Sequence, residues 1–179
     1  MFKALIISGP LAQDHEFIYP FYRILEEKAE LDVCLIGGKP VTGFLGTTLP
    51  PNKSHPVKDI DQVKVENYDL LVLPGGVKAM EKIRQDKRLI EFIKNFYYFD
   101  NKKIIACICS GTQLLISAKI VKGKTISGYY SMKDDILNAG ANYEDKEVVY
   151  DERIFTTAHY KDMGPWMRAA IDKVYENKK

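Results

Sequence analysis

The chain has 179 residues, of which 46% are hydrophobic, and this suits one globular domain with a sizeable core. Its 26 Lys and Arg residues nearly balance its 24 Asp and Glu residues, which argues against a nucleic-acid-binding protein, because such proteins usually carry a basic excess. No apolar run approaches the roughly 20 residues of a membrane span. The three cysteines show neither a disulfide framework nor a zinc spacing. We therefore expect a single domain over residues 1–179 in the reducing cytoplasm, with neither a membrane nor a nucleic acid as its partner.

Short hydrophobic runs bounded by Gly, Pro or Asp predict strands that are buried on both faces. They cover residues 3–7, 32–36, 70–73 and 103–108. Helical spacing of apolar residues predicts helices over residues 14–25, 89–97, 112–119 and 165–174. The stretch 37–56 is rich in Gly, Pro and Thr and predicts a loop or hairpin. This alternation predicts an α/β sandwich, with a mostly parallel central sheet and helices on both faces.

Cys109 follows the predicted strand 103–108 and precedes Ser110, Gly111 and a predicted helix. A nucleophile on a tight strand-to-helix turn shows this pattern. The start of a helix stabilises a thiolate, so we expect a lowered pKa for the Cys109 thiol. The alternative is a small buried hydrophobic residue, the common fate of a free cysteine. Cys107 lies on the same face of the strand and is either a resolving thiol or a packing residue.

A second segment ends a buried strand with Pro74, Gly75 and Gly76. A backbone without side chains can approach a ligand closely, so Gly75 is a candidate for substrate binding. The amides of Gly76 and Ser110 are candidates for an oxyanion hole. The segment can equally be an ordinary turn, because Pro-Gly-Gly alone is a weak signal.

Residues 69–76 (DLLVLPGG) and 109–115 (CSGTQLL) together resemble the ThiJ/PfpI superfamily. The PfpI branch, known as intracellular protease I, is also similar at residues 16–20, 123–125, 133–135, 138–141 and 147–149. The resemblance implies a flavodoxin-like three-layer sandwich whose elbow cysteine is the functional residue. It also implies a homodimer or a larger homo-oligomer. We expect neither a metal nor a cofactor.

Members of that superfamily usually place a glutamate from the N-terminal segment beside the cysteine, and the PfpI branch commonly has a histidine directly after it. Here Ser110 follows the cysteine, and an ungapped count back from residues 19–20 puts Gln13 at the glutamate position. A glutamine forms hydrogen bonds but cannot exchange a proton. We therefore assign Gln13 to the catalytic site. Asp14 and Glu16 are nearby substrate-binding candidates, and Asp14 takes the carboxylate role if the preceding loop slips by one residue.

Further candidates come from histidines and from positions that match the PfpI branch. His159 lies in a segment that approaches the cysteine pocket in relatives, and we assign it acid/base catalysis, with a surface histidine as the alternative. His15 lies in the loop expected to hold the glutamate. Tyr129 matches a pocket tyrosine and is a substrate-binding candidate. Glu81 lies near the place where relatives lend a carboxylate to a neighbouring subunit, so it is an interface candidate.

Three functions are compatible with these residues. The first is an enzyme that uses Cys109 as a nucleophile on a small carbonyl compound, as glyoxalases and deglycases do. The second is an oxidative-stress sensor or chaperone-like protein with an oxidisable Cys109. The third is a peptidase, which the absence of a histidine beside Cys109 disfavours. We expect the first, with a small molecule as the substrate.

Overall fold

The computed structural model describes residues 1–179 and alternates strands with helices along the chain. The six helices are α1 (Asp14–Glu26), α2 (Val77–Gln85), α3 (Lys87–Phe99), α4 (Thr112–Ser117), α5 (Lys133–Asn138) and α6 (Met163–Asn177). The strands of the main sheet are β1 (Lys3–Ser8), β2 (Glu30–Leu35), β5 (Val57–Lys58), β6 (Leu70–Leu73), β7 (Ile104–Ile108), β10 (Val149–Asp151) and β11 (Ile154–Thr157). Two short pairs are β3 (Val41–Thr42) with β4 (Thr48–Leu49), and β8 (Thr125–Ile126) with β9 (Asn142–Tyr143).

The main sheet has seven strands in the order β10-β11-β7-β6-β1-β2-β5. All its neighbours are parallel except β10 and β11, which form an antiparallel edge. Helices α1 and α6 pack against one another and against the sheet, and α2, α3 and α4 form a second packed group. Every residue of the central strands β6 and β7 is buried, as expected for a sheet with helices on both faces. The predicted flavodoxin-like sandwich is therefore confirmed.

The four predicted strands are all present, and the stretch 37–56 contains the β3–β4 hairpin. The edge strands β5 and β10 were not predicted, nor were β11 and α2, because short elements carry too few residues to show a period. Pro20 lies inside α1, where it removes the amide that would bond to the Glu16 carbonyl. No helix of this fold is both long and apolar enough to cross a membrane.

Candidate functional site

Cys109 lies on a sharp turn at the end of the central strand β7. Its φ angle is 59°, in the left-handed region, which costs a residue with a side chain roughly 1–2 kcal/mol. A single 3-10 turn, Cys109–Gly111, connects the strand to α4. The central strands and α4 thus hold the thiol at the carboxyl edge of the sheet, where open α/β sheets bind their ligands.

The carboxyl group of Glu16 lies beside this thiol. Glu16 belongs to the first turn of α1 and is only 1% exposed. Its Oε2 accepts a hydrogen bond of 2.8 Å from the Gly75 amide, and the carboxyl group lies against the Cys109 side chain. A Cβ atom at position 75 would lie 2.5 Å from Oε2 and 2.9 Å from the Cys109 Cβ. Only glycine therefore allows the β6 end to approach both groups so closely.

The prediction that Gln13 occupies the carboxylate position is wrong. Gln13 is the N-cap of α1, and its Oε1 accepts a hydrogen bond of 2.9 Å from the His15 amide. The carboxyl group beside Cys109 belongs to Glu16, three residues after the position that the ungapped count assigned. A signal for Glu16 was present, because it lies on the buried side of α1 with Phe17 and Pro20. An acidic residue on the apolar side of a helix is rarely left without a role.

Burial controls the protonation of both groups. It raises the pKa of the Glu16 carboxyl group to about 7, although the hydrogen bonds from Cys109 and Gly75 oppose this. Burial, followed by the negative charge of Glu16, raises the pKa of the Cys109 thiol to about 12. The expected lowering of the thiol pKa is therefore wrong. Near neutral pH the thiol keeps its proton, and Glu16 is the group placed to accept it.

The predicted oxyanion donors, Ser110 and Gly76, are next to the thiol. The Ser110 amide donates a hydrogen bond to the sulfur of Cys109. The Gly76 amide donates to the Ser110 hydroxyl oxygen at 2.8 Å. Gly76 therefore already has a partner and orients the Ser110 hydroxyl, a group that the sequence had not singled out. Stabilisation of an oxyanion by these donors stays a prediction.

A pocket of about 350 Å³ opens above the thiol. Half of its lining residues are hydrophobic, and four of these, Leu11, Phe44, Val77 and Met132, were not among the sequence candidates. The complete lining is Leu11, Gln13, Phe44, Gly76, Val77, Lys78, Cys109, Ser110, Gln113, Tyr129, Ser131 and Met132. The groove between α1 and α6 is larger, about 630 Å³, but it contains none of these residues. The pocket above Cys109 is the one that can present a ligand to a reactive group.

The two histidines near this pocket do not line it. The ring of His159 lies 6.3 Å from the ring of Tyr129, and its Nδ1 accepts a hydrogen bond of 3.3 Å from the Lys161 amide. His15 is exposed and contacts Tyr160, with 5.3 Å between ring centres. Neither imidazole contacts the thiol, so the acid/base role assigned to His159 has no direct support from the geometry.

Two acidic candidates lie away from the thiol. The Asp14 carboxylate is buried and accepts hydrogen bonds from the amides of Leu45 and Thr47, at 2.7 and 3.0 Å. It does not line the pocket, so its assignment to substrate binding is wrong. Glu81 is exposed on α2 and forms an ion pair with Lys78 at 3.0 Å. Its place at a subunit interface stays a prediction.

Cys107 is fully buried in β7, and its sulfur lies 4.0 Å from the Thr112 hydroxyl. Burial strongly raises the pKa of this thiol. It packs in the core as a small hydrophobic residue would. No group of three or more His, Cys, Asp or Glu side chains is arranged to hold a metal ion.

Comparisons with known proteins show the family and agree with the fold. Residues 2–173 match the family model described as the DJ-1/PfpI family. The chain is 34% identical to the deglycase PfpI of Pyrococcus furiosus over 94% of its own length and 97% of the relative. It is 37% identical to a deglycase of Thermococcus kodakarensis, with the same shares of both chains covered. Its fold is similar to that of Schizosaccharomyces pombe DJ-1, with a TM-score of 0.83, 17% identity, and 98% and 96% of the two chains covered.

Proposed function

Because this chain belongs to the DJ-1/PfpI family, we propose that it is a deglycase- or glyoxalase-like enzyme that acts on small carbonyl compounds through Cys109. The observation that carries the proposal is the position of the buried Glu16 carboxyl group beside Cys109, since a Cβ atom at position 75 would lie within 2.9 Å of both. A thiol becomes a nucleophile when a base removes its proton, and a base works best when its pKa lies near the working pH. Glu16, with its pKa raised to about 7, meets this condition.

An α-oxo aldehyde can be converted to a hydroxy acid at such a site. The sulfur of Cys109 attacks the aldehyde carbon while its proton passes to Glu16, and the former carbonyl oxygen becomes the alkoxide of a hemithioacetal. The Ser110 donors lie beside the sulfur and stabilise that charge. Glu16 returns its proton to this alkoxide and, ionised again, takes the proton from the former aldehyde carbon and delivers it to the neighbouring carbon. The hydroxyl proton passes to the neighbouring carbonyl oxygen, which gives the thioester of the hydroxy acid. Water hydrolyses the thioester, releases the hydroxy acid and restores the thiol.

Deglycase chemistry starts from the same attack. The names of the Pyrococcus and Thermococcus relatives describe removal of a sugar-type adduct. In an adduct of an α-oxo aldehyde with an amine or thiol, the carbon that Cys109 attacks carries that group as a leaving group. As the bond from sulfur to this carbon forms, the carbon–nitrogen or carbon–sulfur bond of the adduct breaks, and the proton that Glu16 took from the thiol passes to the departing amine or thiol. The hemithioacetal that remains follows the same route to the hydroxy acid. One site therefore accounts for both activities.

The test is turnover of methylglyoxal to lactate, measured by loss of the aldehyde and by detection of lactate. We expect turnover by the wild type and none above background for Cys109→Ala. Cys34→Ala is the matched control, because Cys34 is a buried thiol on β2 that does not line the pocket. Wild-type protein that converts neither methylglyoxal nor its adducts at any pH from 6 to 9 (about one unit or more around the pKa of Glu16) would contradict the proposal.

The other two functions have less support. Peroxide reacts with a thiolate, and the raised pKa of Cys109 keeps its thiol protonated. Amide hydrolysis by a cysteine typically uses a Cys–His pair, and no histidine lines the pocket. Fast oxidation of Cys109 by peroxide with no aldehyde turnover would favour the sensor. Cleavage of casein that Cys109→Ala abolishes would favour the peptidase.

A further inference from the structure

We propose that the tip of the β3–β4 hairpin is a specificity wall, which makes the pocket prefer α-oxo aldehydes with a bulky apolar or aromatic substituent over methylglyoxal. The wall consists of residues 43–47, and Phe44 is the residue that meets the substrate. This inference rests on the proposed function and names the substrate class of the same site.

The hairpin tip is attached to the segment that leads into α1. The buried Asp14 carboxylate accepts hydrogen bonds from the amides of Leu45 and Thr47. The Phe44 amide donates to the Ala12 carbonyl at 2.8 Å. Hydrogen bonds to a charged group contribute more to stability than neutral ones. The tip is therefore held in one place before any substrate arrives.

Gly43 allows this close attachment. A Cβ atom at position 43 would overlap the Asp14 carboxyl group. The backbone of the tip can therefore sit against Asp14 only because this residue has no side chain. Asp14 also lies two residues before Glu16 in the first turn of α1. The same turn of helix thus positions both the base beside the thiol and the wall above it.

Phe44 lines the same pocket as Cys109 and is 70% exposed. Three other apolar lining residues are also partly exposed: Leu11 by 39%, Val77 by 55% and Tyr129 by 38%. Together these side chains present apolar surface at the pocket entrance that no other part of the chain covers. A methyl substituent can bury little of this surface, whereas an aromatic ring is large enough to bury more of it. Burial of this surface favours the larger substrate.

The experiment compares phenylglyoxal with methylglyoxal as substrates. We expect the wild type to show a kcat/KM for phenylglyoxal at least about tenfold above that for methylglyoxal, since small changes in apolar contact are worth about that much. Phe44→Ala should lower this ratio about tenfold. Leu45→Ala is the matched control, because Leu45 shares the tip and is 56% exposed but does not line the pocket. A ratio near one in the wild type, or the same ratio in Phe44→Ala, overturns the proposal.

Asp14→Asn tests the positioning of the wall. In the amide, an NH2 donor replaces one of the two carboxylate oxygens, so it cannot accept the hydrogen bond from one of the two backbone amides. We expect a rise in KM for phenylglyoxal that is several times the rise for methylglyoxal. A general loss of structure would instead lower kcat/KM equally for both aldehydes, and that result overturns the role of Asp14.

A binding measurement separates this inference from the proposed function. Mandelate and lactate are the hydroxy acids that the two aldehydes would yield, and calorimetry can compare their binding to Cys109→Ala. We expect mandelate to bind about tenfold more tightly, and the difference to disappear when Phe44→Ala is added. If the wild type converts no aldehyde, the proposed function fails, and this binding result alone then tests the specificity wall. Equal binding of the two acids overturns the specificity wall.

Discussion

The buried carboxyl group of Glu16 lies beside the thiol of Cys109, although α1 and the β7 turn are far apart in the sequence. The Gly75 amide holds the same carboxyl group from the end of β6. The first turn of α1, the end of β6 and the turn after β7 therefore meet at the thiol proton of Cys109. Because burial raises the pKa of both groups, that proton resides on sulfur near neutral pH and has one buried carboxylate to move to.

Replacement of the base should have opposite effects on turnover and on thiol alkylation. In Glu16→Gln the proton on sulfur has no acceptor, so we expect turnover to fall about 10²-fold or more. The same change removes the negative charge that raises the pKa of Cys109, so iodoacetamide should label the thiol several-fold faster at pH 8 (about a unit above the pKa of Glu16). Glu26→Gln is the matched control, because Glu26 lies on the same helix but does not line the pocket.

The pH dependence of kcat/KM in the wild type should reflect the ionisation of the same carboxyl group, that of Glu16. Since only ionised Glu16 can accept the proton, kcat/KM should rise with pH and level off above about 7. The rise of kcat/KM with pH should disappear in Glu16→Gln and remain in Glu26→Gln. A profile that rises only above pH 8 (roughly the range of an ordinary thiol) would show instead that ionisation of Cys109 itself limits the reaction.

Glu16 should also make the protein less stable at higher pH. Burial raises its pKa from 4.5 to about 7, so between these values the folded chain binds a proton that the unfolded chain has lost. Stability therefore falls as pH rises through this window, by on the order of 3 kcal/mol in all if Glu16 acts alone. Urea unfolding at pH 4.5 and pH 8 (values chosen at about the two ends of this window) should show that Glu16→Gln gains stability relative to the wild type only at the higher pH. A constant difference would contradict the raised pKa.

Most of the fold could be predicted from the sequence, and part of the site could not. Continuous hydrophobic runs indicated the central strands, and the turn after β7 indicated Cys109, because both are local patterns. The edge strands β5 and β10 are too short for such a pattern. The position of Glu16 depends on how α1 approaches the ends of β6 and β7. That is a relationship between distant segments, which a count along the chain missed by three residues.

The position of the specificity wall at Phe44 could not be predicted from the sequence for the same reason. The stretch that contains it predicted a loop or hairpin, but no local pattern indicates that its tip folds over the elbow. Asp14 appeared to be a candidate for the pocket because it is acidic and close to the expected glutamate. Its carboxylate is instead taken up by backbone amides of the hairpin. Charge and proximity in the sequence do not distinguish a residue that contacts substrate from one that positions a loop.

Gly75→Ala should impair catalysis without removing a catalytic group. The added Cβ atom would overlap Glu16 Oε2 and the Cys109 Cβ, so the carboxyl group must move away from the thiol. A displacement of about 1 Å in a catalytic group can cost about 10²-fold in rate, and we expect a loss of that order in kcat/KM. Gly164→Ala is the control, because its Cβ atom would have only an ordinary contact, 3.8 Å from the Tyr19 hydroxyl. Equal activity of both variants would contradict the close packing at position 75.

Cys107→Ala should leave the chemistry in place, because Cys107 is fully buried and only packs against its neighbours. We expect turnover within about twofold of the wild type and a loss of roughly 1 kcal/mol in stability for the smaller side chain. Intact-mass spectra after iodoacetamide treatment of the folded protein should show a single adduct in the wild type and in Cys107→Ala, and none in Cys109→Ala. Peroxide should likewise produce no disulfide between positions 107 and 109. Such a disulfide, or loss of turnover in Cys107→Ala, would show that the buried thiol takes part in the reaction.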